Sequence, residues 1–244
     1  MDCVIMIPAR LASTRLPGKP LLDINGVPMI GAVLQRAREA NLGPVWVATD
    51  SPEVASVVRV AGGNAVLTDP NHQSGSDRIY EALSEIDPER RFDVVVNLQG
   101  DLPTVSAATI HATLDLLGGA SVDVSTPIAL IEDELERNSP DVVKMVGVPL
   151  GEGRHRALYF TRCPAPWGDG PCFHHIGLYA WRRSALEKFV ELPKSYLEQR
   201  EKLEQLRALE AGIRIDAIEV AEVPVGVDTA ADLEKARSVL RQRS

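Results

Sequence analysis

Residues 3–20, CVIMIPARLASTRLPGKP, decide how the chain is read. The run from Cys3 to Ile7 is apolar at every position. It predicts a strand over 3–8 buried on both faces, as strands of parallel sheets are. A loop that leaves the carboxyl end of such a strand opens onto the crevice where ligands bind in α/β sheets. This loop carries Arg10, Arg15 and Lys19 with only small or apolar residues between them. The pattern predicts a cradle for a polyphosphate. A Walker A loop is excluded, because position 13 is Ser where the motif needs Gly and position 20 is Pro where it needs Ser or Thr. A dinucleotide fingerprint is excluded too, since no GxGxxG follows the strand.

Working outward, β-branched runs at 45–49, 65–68 and 93–98 alternate with amphipathic stretches at about 28–41, 52–61 and 76–86. That is the cadence of a mostly parallel α/β sheet flanked by helices. The segment Thr49-Asp50-Ser51-Pro52 supplies a cap and a first-turn proline for the second helix, and Gly62-Gly63 closes it. Beyond residue 120 the rhythm changes to successive extended runs at 122–130, 141–148, 156–162 and 173–181. They predict an inserted antiparallel lobe over about 120–182 within a single domain spanning 1–244. Helices at 183–191, 197–211 and 229–241 and a strand near 214–220 complete the expectation.

The 244 residues are 45% apolar and carry 34 acidic against 26 basic side chains, a net charge of −8. Such a balance lacks the basic footprint of a nucleic-acid binder, so an anionic substrate must be held by local cations. Three cysteines, at 3, 163 and 172, form no CxxC pair. No export signal is apparent, and no apolar run approaches the roughly 18 residues of a membrane span. A reducing cytoplasm is the expected compartment.

Arg10 suits two-point contact with phosphate oxygens, and Lys19 suits a point charge on a triphosphate. The alternative for both is a solvated loop. Asp101 ends the strand DVVVNLQG, and Asp228 follows Val225-Gly226-Val227 just before a helix. Two such carboxylates complement Mg²⁺, which keeps water and substrate oxygens in most of its shell. On pattern alone Asp228 is equally a helix N-cap, and Asp101 equally a turn residue. Ser74, Gly75 and Ser76 offer main-chain N–H groups at a helix start, or a plain Ser cap. Cys163, Cys172, His174 and His175 lack the paired knuckle of a zinc site. On the helix at 197–211, Leu203, Leu206 and Leu209 form an apolar stripe, and Glu198, Glu201 and Glu204 read as a wet face.

Five segments in register, the loop at 8–20 with HQSGSDRI (72–79), NLQGD (97–101), HIGLY (175–179) joined to LEQLRALEAG (203–212), and GVDT (226–229), resemble the sugar nucleotidyltransferases and, among them, the CMP-sugar synthetases. The likeness covers almost the whole chain. It departs at Leu102, where the family usually has Glu, and at TRCPAPW (161–167). The resemblance implies a Rossmann-like fold of the nucleotide-diphospho-sugar transferase type. It also implies a Mg²⁺-dependent cytidylyltransferase that joins CTP to 3-deoxy-manno-octulosonate (Kdo), giving CMP-Kdo and pyrophosphate for lipopolysaccharide synthesis, and a cytoplasmic homodimer. Carried residue by residue, it implies Pro8, Ala9, Arg10, Lys19, Gln73, Ser74, Gly75, Arg78 and Asp101 around the nucleotide. Arg15, Gln99, Arg162, His175, Glu204 and Gln205 are implied around the sugar acid, with Arg162 or protonated His175 facing its carboxylate. Arg10, Lys19, Asp101 and Asp228 are implied in catalysis, and Asp101 and Asp228 as metal ligands. The rival readings are another sugar acid, such as sialic acid or 8-amino-Kdo, and a nucleotide-binding regulator without catalysis.

Overall fold

The computed structural model describes residues 1–13 and 15–243. The chain divides into two compact units, one made of residues 1–111 and 224–244 and the other of residues 112–223.

In the first unit β1 (Cys3–Ala9) is buried throughout. A two-stranded ribbon, β2 (Asp23–Ile24) and β3 (Val27–Pro28), leads into α1 (Met29–Glu39). There follow β4 (Val45–Thr49), α2 (Pro52–Val60), β5 (Asn64–Leu67), α3 (Gly75–Ile86) and β6 (Val94–Leu98). The strands run parallel in the order β6-β1-β4-β5. The register sets Ala9 beside Thr49 and Thr49 beside Leu67, so three loops leave one sheet edge side by side. Caps fall where the sequence puts them: Ser51 Oγ accepts the Val54 N–H at 3.3 Å, and Ser74 Oγ accepts the Asp77 N–H at 3.1 Å. The C-terminal helix α9 (Ala230–Arg243) rejoins this unit through a cluster of Ile24, Met29, Val227, Leu233 and Ala236.

The chain passes to the second unit through α4 (Ala107–Asp115), a helix absent from the expectation. That unit holds β7 (Val124–Leu130), α5 (Glu134–Asn138), β8 (Lys144–Gly151), β9 (Arg154–Thr161), β10 (Phe173–His175) and β11 (Leu178–Arg182). It continues with α6 (Arg183–Glu191), α7 (Tyr196–Glu201), α8 (Gln205–Glu210) and β12 (Ile215–Glu219). β10 bonds to both β8 and β7, so β10, β8, β9, β12 and β7 close on one another. All pairs in that ring are antiparallel except β12 with β7. The extended run expected over 173–181 is two strands, because both pair along one edge of β7 while only β10 also reaches β8.

The helix expected over 197–211 is likewise two. Lys202 adopts a left-handed conformation, φ 59°, and ends α7. The break turns the anticipated wet face inward. Glu198 is 8% exposed, and both its oxygens accept from the Arg207 guanidinium, at 2.8 and 2.6 Å. Burial alone would raise the Glu198 carboxyl, but the Arg207 hydrogen bonds and charge, with the Ser195 N–H, hold it below the ordinary value. Arg207 also lies over the Phe189 ring at 4.6 Å.

Candidate active site

A cavity of about 430 Å³ opens at the carboxyl edge of the first unit's strands. It is lined by Pro8, Ala9, Arg10, Arg15, Lys19, Gln73, Ser74, Gly75, Arg78, Gln99, Asp101 and Asp228, every first-unit candidate except Ser76, which is buried in the first turn of α3. Ala12, Ser13, Pro20, Met29, His72 and Gly100 line it as well and were not anticipated. The parallel cadence was the signal for Gly100, which sits at the end of β6 where its Cβ would come 2.8 Å from the Pro8 carbonyl oxygen.

Lys19 begins a short 3₁₀ turn, Lys19–Leu21, after Gly18 in a left-handed conformation, φ 64°. Its ammonium donates to Asp101 Oδ2 at 2.7 Å, to the Val227 carbonyl at 2.9 Å and to Asp228 Oδ1 at 3.1 Å. An ammonium has three N–H donors, so all three are engaged. Burial alone would lower the Lys19 pKa. The charges and hydrogen bonds of Asp101 and Asp228 outweigh it and raise the pKa above the ordinary lysine value.

The two carboxylates meet because the Val227 N–H bonds to the Asp101 carbonyl at 2.9 Å. Asp228 is not the cap of α9. Thr229 Oγ1 accepts the Asp232 N–H at 3.3 Å, and Asp232 Oδ2 returns to the Thr229 N–H at 2.8 Å. That reciprocal pair leaves Asp228 Oδ1 to Lys19 and to Arg15, which lies 3.0 Å away. Arg10 is exposed on the same loop. Arg78 is 3% exposed and binds Thr68 Oγ1 at 2.6 Å and Asp50 Oδ2 at 3.4 Å. Gln99 Nε2 donates to Asn97 Oδ1 at 3.2 Å, and its Oε1 lies beside Gly75. Leu102, in place of the expected Glu, is buried.

A family model for cytidylyltransferases matches residues 4–215. The chain belongs to the cytidylyltransferase family. Among curated relatives, the 3-deoxy-manno-octulosonate cytidylyltransferase of Rhodopseudomonas palustris (strain BisB18) is 61% identical over 237 residues, covering 97% of each chain. That of Bradyrhizobium sp. (strain ORS 278) is 63% identical over 237 residues, 97% of this chain and 96% of its own. The solved structure of a CMP:2-keto-3-deoxy-manno-octonic acid synthetase complexed with CTP matches with a TM-score of 0.90 at 42% identity, over 100% of both chains. The nucleotide-diphospho-sugar transferase fold expected from the sequence is therefore the fold of this cytidylyltransferase.

The remaining candidates of the cytidylyltransferase lie in the second unit. Arg162 spends its guanidinium on main chain, Nε to the Glu201 carbonyl at 3.0 Å and Nη1 to the Pro140 carbonyl at 2.9 Å. His175 is held as a neutral imidazole. It is buried, its Nε2 is 3.0 Å from Thr126 Oγ1, and it lies between the Phe160 and Tyr179 rings. Burial, with the neighbouring His174, pushes its pKa down to about 3. Gln205 is buried at the start of α8 and Glu204 half-buried just before it. The cysteine and histidine run is dispersed: His174 Nδ1 pairs with Glu136 Oε1 at 2.6 Å, and Cys172 Sγ contacts the Ala165 carbonyl. Among the described residues, no three His, Cys, Asp or Glu side chains gather as a metal cluster, and no helix is long and apolar enough to cross a membrane.

Proposed function

We infer that this cytidylyltransferase joins CTP to Kdo, giving CMP-Kdo and pyrophosphate for lipopolysaccharide synthesis. The observation that carries the reading is the meeting of Arg10, Lys19, Asp101 and Asp228 in one cavity with the Ser74–Gly75 helix start. In the reaction the anomeric 2-hydroxyl of Kdo loses its proton and attacks the α-phosphorus of CTP. The bond to the bridging oxygen breaks, and pyrophosphate leaves with that electron pair. Little covalent help is needed; the protein aligns the three groups and meets the growing negative charge. Arg10 grips phosphate oxygens in two-point geometry. Lys19 holds the two carboxylates at fixed separation. The first turn of α3 points main-chain N–H groups toward the nucleotide.

The donor set fits Mg²⁺, since two carboxylates already converge on one cation at 2.7 and 3.1 Å, and this ion takes one or two carboxylates plus substrate oxygens. Asp101 and Asp228 would hold it, and when bound it would neutralise charge on the triphosphate. For the sugar acid, Gln99, Glu204 and Gln205 suit hydroxyl groups. Arg15 is an exposed guanidinium that suits the carboxylate, and its present partner is Asp228. Arg162 and His175 belong to the reading as supports of the second unit. A cytoplasmic homodimer, as the family resemblance implies, completes it.

Pyrophosphate release is measured with CTP, Mg²⁺ and Kdo, each omitted in turn. Release should need all three, and CTP should exceed UTP, ATP and GTP. Equal release with UTP removes the cytidine assignment, faster release with sialic acid or 8-amino-Kdo reassigns the sugar, and no release at all returns the chain to a binding role.

A further inference from the structure

We propose that Asp50 is a positioning residue for the nucleotidyl transfer, tying the Arg10 loop to the base of α3 through Leu11 and Arg78; this rests on the function proposed above. The parallel register makes the contact. Ala9, Thr49 and Leu67 lie side by side at the ends of β1, β4 and β5, so the next residue of the middle strand, Asp50, emerges between the two loops that line the cavity. Its side chain does not cap α2, a task that Ser51 performs. Asp50 Oδ1 instead accepts the Leu11 N–H at 3.1 Å, and Oδ2 lies 3.4 Å from Arg78 Nη2.

The Leu11 N–H belongs to the peptide that joins Arg10 to Leu11, so the bond fixes the direction in which Arg10 leaves the main chain. The second half of the link ends on a buried side chain. Arg78 is 3% exposed, its Nη1 donates to Thr68 Oγ1 at 2.6 Å, and its own N–H closes the first turn of α3 on the Ser74 carbonyl. Thr68 is fixed in turn by its N–H to the Thr49 carbonyl at 2.9 Å. One carboxylate thus sets the distance between a phosphate-gripping loop and the helix start that faces the nucleotide. Two ends of a single substrate are held to one ruler. Misplacement by about 1 Å from a residue away from the chemistry can lower a rate about 10²-fold.

The test is steady-state pyrophosphate release by the full chain with CTP and Kdo. Asp50→Ala should lower kcat about 10²-fold with the KM for Kdo within a few-fold of wild type. Asp50→Asn, whose amide oxygen still accepts from Leu11, should recover most of that loss. In an Arg10→Ala background, Asp50→Ala should add little, because residues that act through one another are not additive. If Asp50→Ala does not fold, Thr68→Val, which removes the acceptor that steadies Arg78, should show the same kcat-weighted loss and the same dependence on Arg10. Near-wild-type kcat in folded Asp50→Ala, or losses that multiply in the double variant, would overturn the proposal while leaving the transferase assignment intact. An inactive wild-type protein would instead overturn that assignment.

Discussion

The ammonium of Lys19 lies 2.7 Å from Asp101 and 3.1 Å from Asp228. One half-buried cation therefore sets the spacing of two carboxylates carried by well-separated segments of the chain. Lys19→Ala leaves like charges facing each other and removes the cation that spaces them at the place where phosphate charge grows. Turnover should fall about 10²–10³-fold, with Arg10→Ala in the same range. Lys19→Arg should not rescue it, because a planar fork cannot place its donors on three acceptors around a point. Near-normal pyrophosphate release from the folded Lys19→Ala or Arg10→Ala protein would return that residue to the status of a solvated loop cation.

Asp228 and Thr229 divide the two tasks, ligand and cap, that the sequence left open for Asp228. Because Thr229 and Asp232 cap α9 reciprocally, Asp228→Asn should leave the thermal midpoint almost unchanged while nearly abolishing turnover and flattening its Mg²⁺ titration. Thr229→Ala should do the reverse, losing about 1 kcal/mol of stability with turnover largely kept. Asp101→Asn should behave as Asp228→Asn does. A wild-type Mg²⁺ titration in Asp228→Asn would remove Asp228 from the metal site.

What was legible in the sequence follows the periodicity. The buried run of β1 and the Ser51 and Ser74 caps are local patterns, and local patterns survive folding; β4 begins and ends where its β-branched run does. The candidates of the first-strand loop, the α3 start and the end of β6 meet in one cavity because parallel strands deliver their following loops to one edge, and Asp228 joins them through the main-chain bond of Val227 to Asp101. What failed depended on long-range partners. No local pattern announces that Arg207 will meet Glu198 across a broken helix, or that β10 will close a ring between β7 and β8. His175 looks like a cation for a carboxylate because its residue type allows it, whereas burial beside Phe160 and Tyr179 disfavours the charge.

His175 gives a pH dependence whose sign is fixed by that burial. Its folded pKa is about 3 against an ordinary 6.5. Between those values the unfolded chain binds the proton and the folded chain does not, so stability should fall as pH drops below about 6.5. In thermal melts from pH 7 to pH 5, His175→Gln should show a shallower acid slope than wild type, whatever its midpoint at pH 7. The activity profile should show no step from this imidazole near pH 6.5. An unchanged acid slope in His175→Gln would mean that another group carries it.

Gly100 stands between Gln99 and Asp101, and its Cβ would meet the Pro8 carbonyl oxygen at 2.8 Å. Main chain on both sides leaves nothing flexible to yield, since Pro8 belongs to buried β1 and Gly100 follows buried β6. Gly100→Ala should therefore push the ends of the two strands apart, at about 1–3 kcal/mol of stability. Asp101 is the next residue, so the same displacement draws its carboxylate off Lys19. Activity should fall further than stability alone explains, even at temperatures where the variant is fully folded. Gly118 is the matched control: its Cβ would meet nothing within 4 Å, and Gly118→Ala should be neutral or stabilising by about 0.4–1 kcal/mol through the unfolded chain. Equal thermal midpoints and equal turnover for the two variants would show that the strand ends separate freely and that the close approach of Gly100 to Pro8 does not fix Asp101.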